Sequence, residues 1–572
     1  MLFKSLYPPT PPVPDKNVYE LFFNDPEQNA LPDYTLYVDA ESGRQIRRSE
    51  FNERVRDAAT ALGAPLSAGG LGLSGEKGDI VGILSSNCID YPTLVLGSLT
   101  ITVPFALLSA YPTHFELVHL LRTSKSTVLF VHPTLLRNAL KAAQEVGLSH
   151  DRIFILEGGI PGRKSLQDLI DDVKRRRTPR EPVRPATKKT LAYLMFSSGT
   201  TGLPKAVMVA HGNIWSTIVS QLIAGAEDLK VSPLPPPTSP VVVLAVLPFY
   251  HTYGLISFCM RPMSGYVTCV IVPRWNVEVV VRAIEKHRIG LLLLVPSMVH
   301  QLVHSGLLEK ADLSSVDLIS TGGAYMPPKV AERIQKLIRS TPRVMEGYGL
   351  SECTLSALRK PAPGALGGIQ PILNSTGILL PSMEAKLTRE DGSCVEIGEP
   401  GELWLRGDNI ALGYFNDENA TKETFIDGWL RSGDRFKTDG KGTFFFVDRI
   451  KDTLKISGAQ VSPTEIEDVL LAHPGKLISD TSVAGVSGGR TADELLPKAW
   501  VVLSEEGRRK GADVVLKELD MWANENLSSY KRLRGGLEVV SEIPKSPTGK
   551  VLRRVLQDRH EQALKAKVKA KL

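Results

Sequence analysis

The chain has 572 residues, 68 Lys/Arg against 62 Asp/Glu, a net charge of +6, 42% hydrophobic residues and 23% charged residues. This length is too great for one simple core and predicts two or three packed units, and the composition is that of a soluble globular protein. Its cysteines, Cys88, Cys259, Cys269, Cys353 and Cys394, are scattered with no C-x-x-C pair, which argues against zinc and against a disulfide framework and fits a reducing compartment.

In chain order, "MLFKSLYPPTPPVP" (Met1–Pro14) is too short in its apolar run and too broken by proline for a secretory signal. "DIVGIL" (79–84), "TVLFVH" (127–132), "RIFIL" (152–156) and "LLLLVP" (291–296) predict buried strands, with helices over 115–122 and 328–339. Strand–helix alternation implies α/β layers with largely parallel sheets. Two surface connections stand out, the basic, Pro-rich "KRRRTPREPVRPATKK" (174–189) and the stiff "SPLPPPTSP" (232–240). The uncharged, largely apolar stretch 241–260 is long enough for a membrane span. Pro248, His251 and its β-branched start favour a strand, a turn and a helix instead. After about Thr376 short strands and Gly turns predict a β-rich subdomain, and from Ile450 a mixed α/β segment is large enough for a small separate domain. From Lys550 to Leu572 eight Lys/Arg face two Asp/Glu, so this tail alone carries +6. A basic tail can bind nucleic acid or lipid; a solvated, fraying terminal helix is the plainer expectation.

The chemistry concentrates in "FSSGTTGLPKAVMVAHGN" (196–213). A strand over 192–196 ends at Ser197. Ser197, Ser198, Thr200 and Thr201 supply hydroxyl donors, Gly199 and Gly202 allow close approach, and Lys205 adds a point charge, a set suited to phosphate oxygens. The spacing is not G-x-x-x-x-G-K-[ST]. An ordinary Ser/Gly turn would explain a looser cluster but not the full string S-S-G-T-T-G-x-P-K.

That string resembles the signature of the adenylate-forming enzymes, among them acyl-CoA synthetases, 4-coumarate–CoA ligases, luciferases and peptide-synthetase adenylation domains. "LPFYHTYGL" (247–255), "STGGAYM" (320–326), "EGYGLSE" (346–352), "RSGDRF" (431–436), "VDRIKDTLKISGAQVSPTEIE" (447–467) and "PKSPTGKVLRR" (544–554) follow in the family's order across nearly the whole chain. The balance of features is closest to 4-coumarate–CoA ligase-like enzymes. The resemblance implies a large N-terminal adenylation domain (1–447, its β-rich part about 376–447), a hinge at 448–451 and a small mobile α+β C-terminal domain (452–572). It also implies an ATP-dependent acid–CoA ligase that forms acyl-AMP and then acyl-CoA, with ATP, Mg²⁺ and CoA as cofactor and co-substrates.

By the same resemblance the nucleotide is held by the loop, by Glu346, Gly347, Tyr348 and Ser351, and by Asp434, Arg449 and Lys550, and the metal by Glu352. Asp434 as an acceptor-only group suits two ribose hydroxyls, and Lys550 suits the charge that builds between carboxylate and α-phosphate. Alone, Asp434 reads as a turn residue and Lys550 as a solvated surface lysine. Lys451 takes the hinge position. Lys455, Ser457 and Gly458 take the second-step face and the pantetheine tunnel, where a Cβ at 458 would narrow a channel. Arg274 matches a basic position that contacts a CoA phosphate, although a surface charge at a strand end explains it as well. The acid pocket is implied at His251, Tyr253, Ser257, Ser320, Gly323, Ala324, Gly347, Gly349 and Ser356. A lone buried histidine is usually structural, and His251 is expected as wall and gate rather than as a general base. Tyr253 and Ser257 present hydroxyls one helical turn apart.

The chain departs from the pattern at Ala206 (usually Gly), Ser351 (usually Thr), Tyr325 (usually Pro), Ser320 and Gly323. The last two have less volume than the Met and Ala common in coumarate ligases, which implies a deeper pocket and puts coumarate itself in doubt. A longer or bulkier aromatic acid or a fatty acid is then open. The closing Ala570-Lys571-Leu572 resembles the S-K-L peroxisome address, with the cytosol as the alternative. Partners are expected to be small molecules, without nucleic acid or a membrane span, in a monomer or homodimer. Two rivals stay open: an enzyme that passes its adenylate to a carrier-protein thiol, an amine or oxygen, and a non-catalytic nucleotide-binding protein. No carrier domain follows Lys550, which weakens the first; the presence of Lys550 and Glu352 weakens the second.

Overall fold

A computed structural model describes the chain except residues 198–203, 234–237, 325, 327, 339–342, 373, 451, 453, 457–458, 488–494, 528–530, 547–548 and 570–572. The uniform apolar runs become strands buried at every position: Val81–Leu84, Phe105–Leu108, Val128–Val131 and Ile153–Ile155. Burial on both faces is what an all-apolar parallel strand requires. They form one sheet in the order Ile153–Ile155, Val128–Val131, Val81–Leu84, Phe105–Leu108, Leu191–Ser197, Lys205–Ala210. Its pairs are parallel except the last, which is an antiparallel hairpin.

A second sheet has nine strands, ordered Ile378–Leu379, Leu358–Arg359, Arg343–Tyr348, Leu318–Thr321, Leu291–Leu294, Val241–Ala245, Val267–Ile271, Thr35–Asp39, Gln45–Arg47. It is parallel through its centre and antiparallel at both edges. Helices fill the connections, as right-handed crossovers between parallel strands demand. Asp90–Thr100, buried along its whole length, packs on Arg48–Gly63. The stretch 241–260 resolves into the strand Val241–Ala245, a turn and a helical run, and no helix among the described residues is long and apolar enough to cross a membrane.

The chain divides into two compact units, one of Leu2–Lys386 with Trp404–Ser432, the other of Met1, Leu387–Leu403 and Gly433–Leu572. The division passes within the β-rich stretch, whose strands are Glu384–Thr388, Gly401–Arg406, Phe425–Ile426, Trp429–Thr438 and Phe444–Arg449. The C-terminal part pairs Ile478–Val486 with Leu496–Leu503 and adds Leu537–Val539. Helices Pro463–Leu471 and Ala512–Asn526 cover this sheet through Ile466, Leu470, Val515, Leu519 and Ala523. The basic tail forms the helix Arg553–Lys569. The protein is therefore of mixed α/β class, with a large N-terminal and a small C-terminal part. All five cysteines are free.

Candidate active site

The phosphate-type loop is the tip of a hairpin. Leu191–Ser197 and Lys205–Ala210 pair antiparallel, and Ser197 faces Lys205 at its open end. Ser198, Gly199, Thr200, Thr201 and Gly202 lie outside the described residues. The element that follows the loop in sequence is the strand Lys205–Ala210, not a helix.

Lys205 Nζ stands 5.2 Å above the ring centroid of Tyr414 and 4.0 Å from Asp417 Oδ2. Tyr414 in turn donates its hydroxyl to Glu352 Oε1 at 2.9 Å. Burial and the Glu352 carboxylate push the Tyr414 phenol well above its ordinary range, so it stays a donor. Glu352 is buried in the short turn Ser351–Cys353. That turn is bolted in place: Ala411 N donates to Glu352 O (2.9 Å), Thr354 Oγ1 to Asn409 O (2.7 Å), and Asn409 Nδ2 to Cys353 O and Ser356 O (3.2 Å each). Asn213 closes the frame, accepting from Ala210 N at 2.8 Å and donating to Asp408 O (2.8 Å) and Ile410 O (2.9 Å). A cation and a carboxylate thus stand at the base of the loop, joined through one tyrosine.

No group of three or more His, Cys, Asp and Glu side chains among the described residues could hold a metal by itself. Glu352, with one oxygen taken by Tyr414, fits a Mg²⁺ that keeps its remaining positions for phosphate oxygens and water.

Strand Leu318–Thr321 and strand Arg343–Tyr348 are adjacent and parallel, with Ser320 beside Met345 and Thr321 beside Glu346. Glu346 pairs with Lys360 Nζ at 2.7 Å. Gly347 and Tyr348 end the strand, and a Cβ on Gly349 would come within 1.7 Å of Leu355 O, so only glycine lets the chain turn into Ser351. Gly323 has φ +84°, a left-handed conformation that favours glycine whatever the pocket volume; Ala324 beside it is exposed.

His251 precedes a helical turn whose continuation, Leu255–Met260, is π-helical, a geometry often found at functional sites. Burial pulls the His251 imidazole down to about 4. Tyr253 donates its hydroxyl to Ser320 O at 3.4 Å, linking this run to the neighbouring strand, and Ser257 lies one turn on. Behind His251 the rings continue: Tyr250 lies 4.7 Å away, Tyr111 6.5 Å beyond that, and the Arg274 guanidinium 5.6 Å over Tyr111.

In the C-terminal part Asp434 and Arg449 are direct partners on antiparallel strands, with Arg449 Nε 3.5 Å from the buried Asp434 carboxylate. Lys550 closes a tight turn in which its amide donates to Ser546 Oγ (3.1 Å) and Ser546 N donates to its carbonyl (2.8 Å). Lys455 lies on strand Leu454–Ile456 opposite Gln460, while Lys451, Ser457 and Gly458 fall outside the described residues. Tyr414, Asn409, Asn213, Tyr111 and Arg553 were given no role by sequence reasoning. Tyr414 had a signal in "ALGYFNDENAT", a Gly-Tyr turn before a capped helix.

The chain belongs to the AMP-binding enzyme family: that family's model matches residues 25–415, and the model of the AMP-binding enzyme C-terminal domain matches residues 465–550. Within it the chain is similar to acid–thiol ligases. It is 30% identical over 570 residues to the probable 4-coumarate–CoA ligase 1 of Dictyostelium discoideum, covering 97% of each chain. It is 31% identical over 562 residues to the 4-coumarate–CoA ligase-like 9 of Oryza sativa subsp. japonica, covering 97% of this chain and 95% of that one. Its fold matches the anthranilate CoA ligase AuaEII in complex with anthranoyl-AMP with a TM-score of 0.80 at 23% identity, over 97% and 99% of the two chains.

Proposed function

We propose that this protein joins a carboxylic acid to CoA in two steps, forming acyl-AMP from ATP with release of pyrophosphate and then moving the acyl group to the CoA sulfur with release of AMP. The observation that carries this reading is the base of the loop hairpin, where Lys205, Tyr414 and Glu352 form one connected set. Attack of a carboxylate on ATP brings two anions together, and the chain must neutralise them before it can position them. Lys205 and the loop hydroxyls bind the phosphates. Glu352, oriented by Tyr414, would hold Mg²⁺, which supplies further charge neutralisation when bound. Asp434 accepts from the ribose hydroxyls, with Arg449 as its neighbour. Lys550 stabilises the charge that develops at the α-phosphate.

His251, neutral at physiological pH by virtue of burial, lines the acid pocket with Tyr253, Ser257, Ser320, Gly323, Ala324, Gly347, Gly349 and Ser356. Lys455, Ser457, Gly458 and Arg274 serve CoA, and Lys451 sits in a hinge at 448–451 between an adenylation domain (1–447) and a lid (452–572). The named functions of the relatives support the choice of CoA as acceptor. A pyrophosphate-release assay over a panel of acids, run with and without CoA, tests it. Acyl-CoA and AMP are expected as products, and acyl-AMP that accumulates equally with and without CoA would overturn the assignment. Ala570-Lys571-Leu572 is proposed as a peroxisomal address; the last dozen residues behind a fluorescent protein should carry it to peroxisomes, and a diffuse signal would refute it.

A further inference from the structure

The helical run after His251 has an unusual exposure pattern. Between Thr252 and Met263 every residue is buried except Tyr253, Ser257 and Arg261, each of which keeps some accessible surface. A spacing of four places these three on one side of the run. Tyr253 and Arg261 are nevertheless enclosed by the fold: burial pushes the Tyr253 phenol up to about 12 and pulls the Arg261 guanidinium down to about 10. Tyr253, Ser257 and Arg261 thus share the one accessible side of this run, and Tyr253 ties that side to Ser320.

Arg261 is the anomaly on that side. Its one hydrogen bond among the described residues goes from Nη1 to Gln221 Oε1 at 3.0 Å, and no carboxylate of a described residue lies within ion-pairing distance. The Arg359 guanidinium repels it and is already paired with Asp228. An enclosed cation is ordinarily paired, because leaving it alone costs several kcal/mol of solvation. Among the described residues Arg261 is therefore a guanidinium without a carboxylate partner, on the side of the run it shares with Tyr253 and Ser257. About two helical turns separate it from Tyr253.

We propose that Arg261 is a specificity-determining residue that binds a second carboxylate at the far end of the acid substrate, so that the enzyme's preferred substrates are medium-length acids bearing an anionic group at both ends. This rests on the acid–CoA ligase reading and narrows its substrate class. One carboxylate reacts near His251; the other is received by Arg261 in a charge-assisted, forked hydrogen bond with Gln221 beside it.

The test compares kcat/KM for pyrophosphate release between α,ω-dicarboxylates and monocarboxylates matched in chain length, from about six to twelve carbons, in the full-length protein and in Arg261→Met and Arg261→Lys. The wild type is expected to prefer the diacid at least tenfold at its best length. Arg261→Met should reverse that order by gaining activity on the monoacid while losing the diacid, and Arg261→Lys should retain part of the preference. A merely structural arginine would lower both substrates together and leave the ratio unchanged, which overturns the inference, as does a wild type that favours monoacids at every length. Failure to release pyrophosphate with any acid would instead overturn the ligase reading, and this inference with it. Should Arg261→Met fail to fold, the wild-type ratio and Gln221→Leu, expected to weaken the diacid alone, decide the matter.

Discussion

At the scale of single residues, two side chains carry the sharpest consequences. His251 is enclosed, and its imidazole is pulled from 6.5 to about 4. A histidine held below its unfolded value favours the neutral form, so its contribution to stability is complete above about pH 6.5 and is lost as the pH falls toward 4. In the folded enzyme it carries no charge between pH 6 and 8 and cannot pair with the acid's carboxylate as a cation. The kcat/KM profile of His251→Gln should therefore keep the shape of the wild-type profile across that range, at whatever height. An inflection near pH 6.5 that disappears in the variant would show that His251 titrates during turnover. Tyr414 acts through Glu352. Tyr414→Phe removes one hydrogen bond to a carboxylate, a loss of about 1–3 kcal/mol. If Glu352 holds Mg²⁺ as proposed, the loss of the tyrosine that orients it should weaken Mg²⁺ activation some 10–100-fold. Raised KM for Mg²⁺ with little change in KM for CoA is the expected split, and a uniform fall in kcat alone would place Tyr414 in packing only.

At the scale of elements, Arg553 is the joint of the C-terminal part. From the start of the terminal helix it donates to Asp452 Oδ2 (2.8 Å), to both oxygens of Glu467 (2.8 and 3.0 Å) and to Val483 O (2.9 Å). It thereby ties the segment just after position 451 to helix Pro463–Leu471 and strand Ile478–Val486. Arg553→Met leaves two partly buried carboxylates facing each other and should cost about 3–5 kcal/mol. Hydrogen exchange should quicken across these three segments while the nine-stranded sheet keeps its protection; unchanged exchange in Ile478–Val486 would deny Arg553 this role.

The elements themselves were largely legible. The runs at 79–84, 127–132 and 152–156 became strands buried on both faces, which leave no polar positions to disguise them, and 291–296 became a strand whose alternate residues are half-buried. The ladder pairs Ser197/Lys205 and Asp434/Arg449 join residues that the motifs had already singled out. What stayed hidden was long-range. Tyr414 and Glu352 lie 62 positions apart, and no periodicity couples them. Arg261 drew no expectation from the sequence, because its lack of a carboxylate partner among the described residues is a property of the folded surroundings. Gly323 was read by volume, although its φ of +84° demands glycine for the backbone as well, so a bulky residue there would report strain along with pocket size.

At the scale of the whole molecule the central matter is how one chain serves two reactions. Lys550 and Lys455 belong to the same compact unit. They nevertheless sit on different elements, Lys550 on a turn held by Ser546 and Lys455 on the short hairpin strand Leu454–Ile456. If the proposed lid, residues 452–572, turns about the proposed hinge at 448–451, the two lysines serve one site in succession. Lys550→Ala should then remove stabilisation of the charged adenylation transition state worth about 3–4 kcal/mol, ~10²–10³ in rate. It should leave the reaction of pre-made acyl-AMP with CoA nearly intact. Lys455→Ala should do the reverse, allowing acyl-AMP to form and accumulate while thioester formation slows. The two half-reactions are assayed separately on each purified variant, with a melting curve to establish that the C-terminal part remains folded. Equal loss of both halves in both variants would contradict succession and favour a single fixed arrangement. The opposite pattern of selective losses would require each lysine to be present at a different step, which a rotating unit supplies and a rigid one does not.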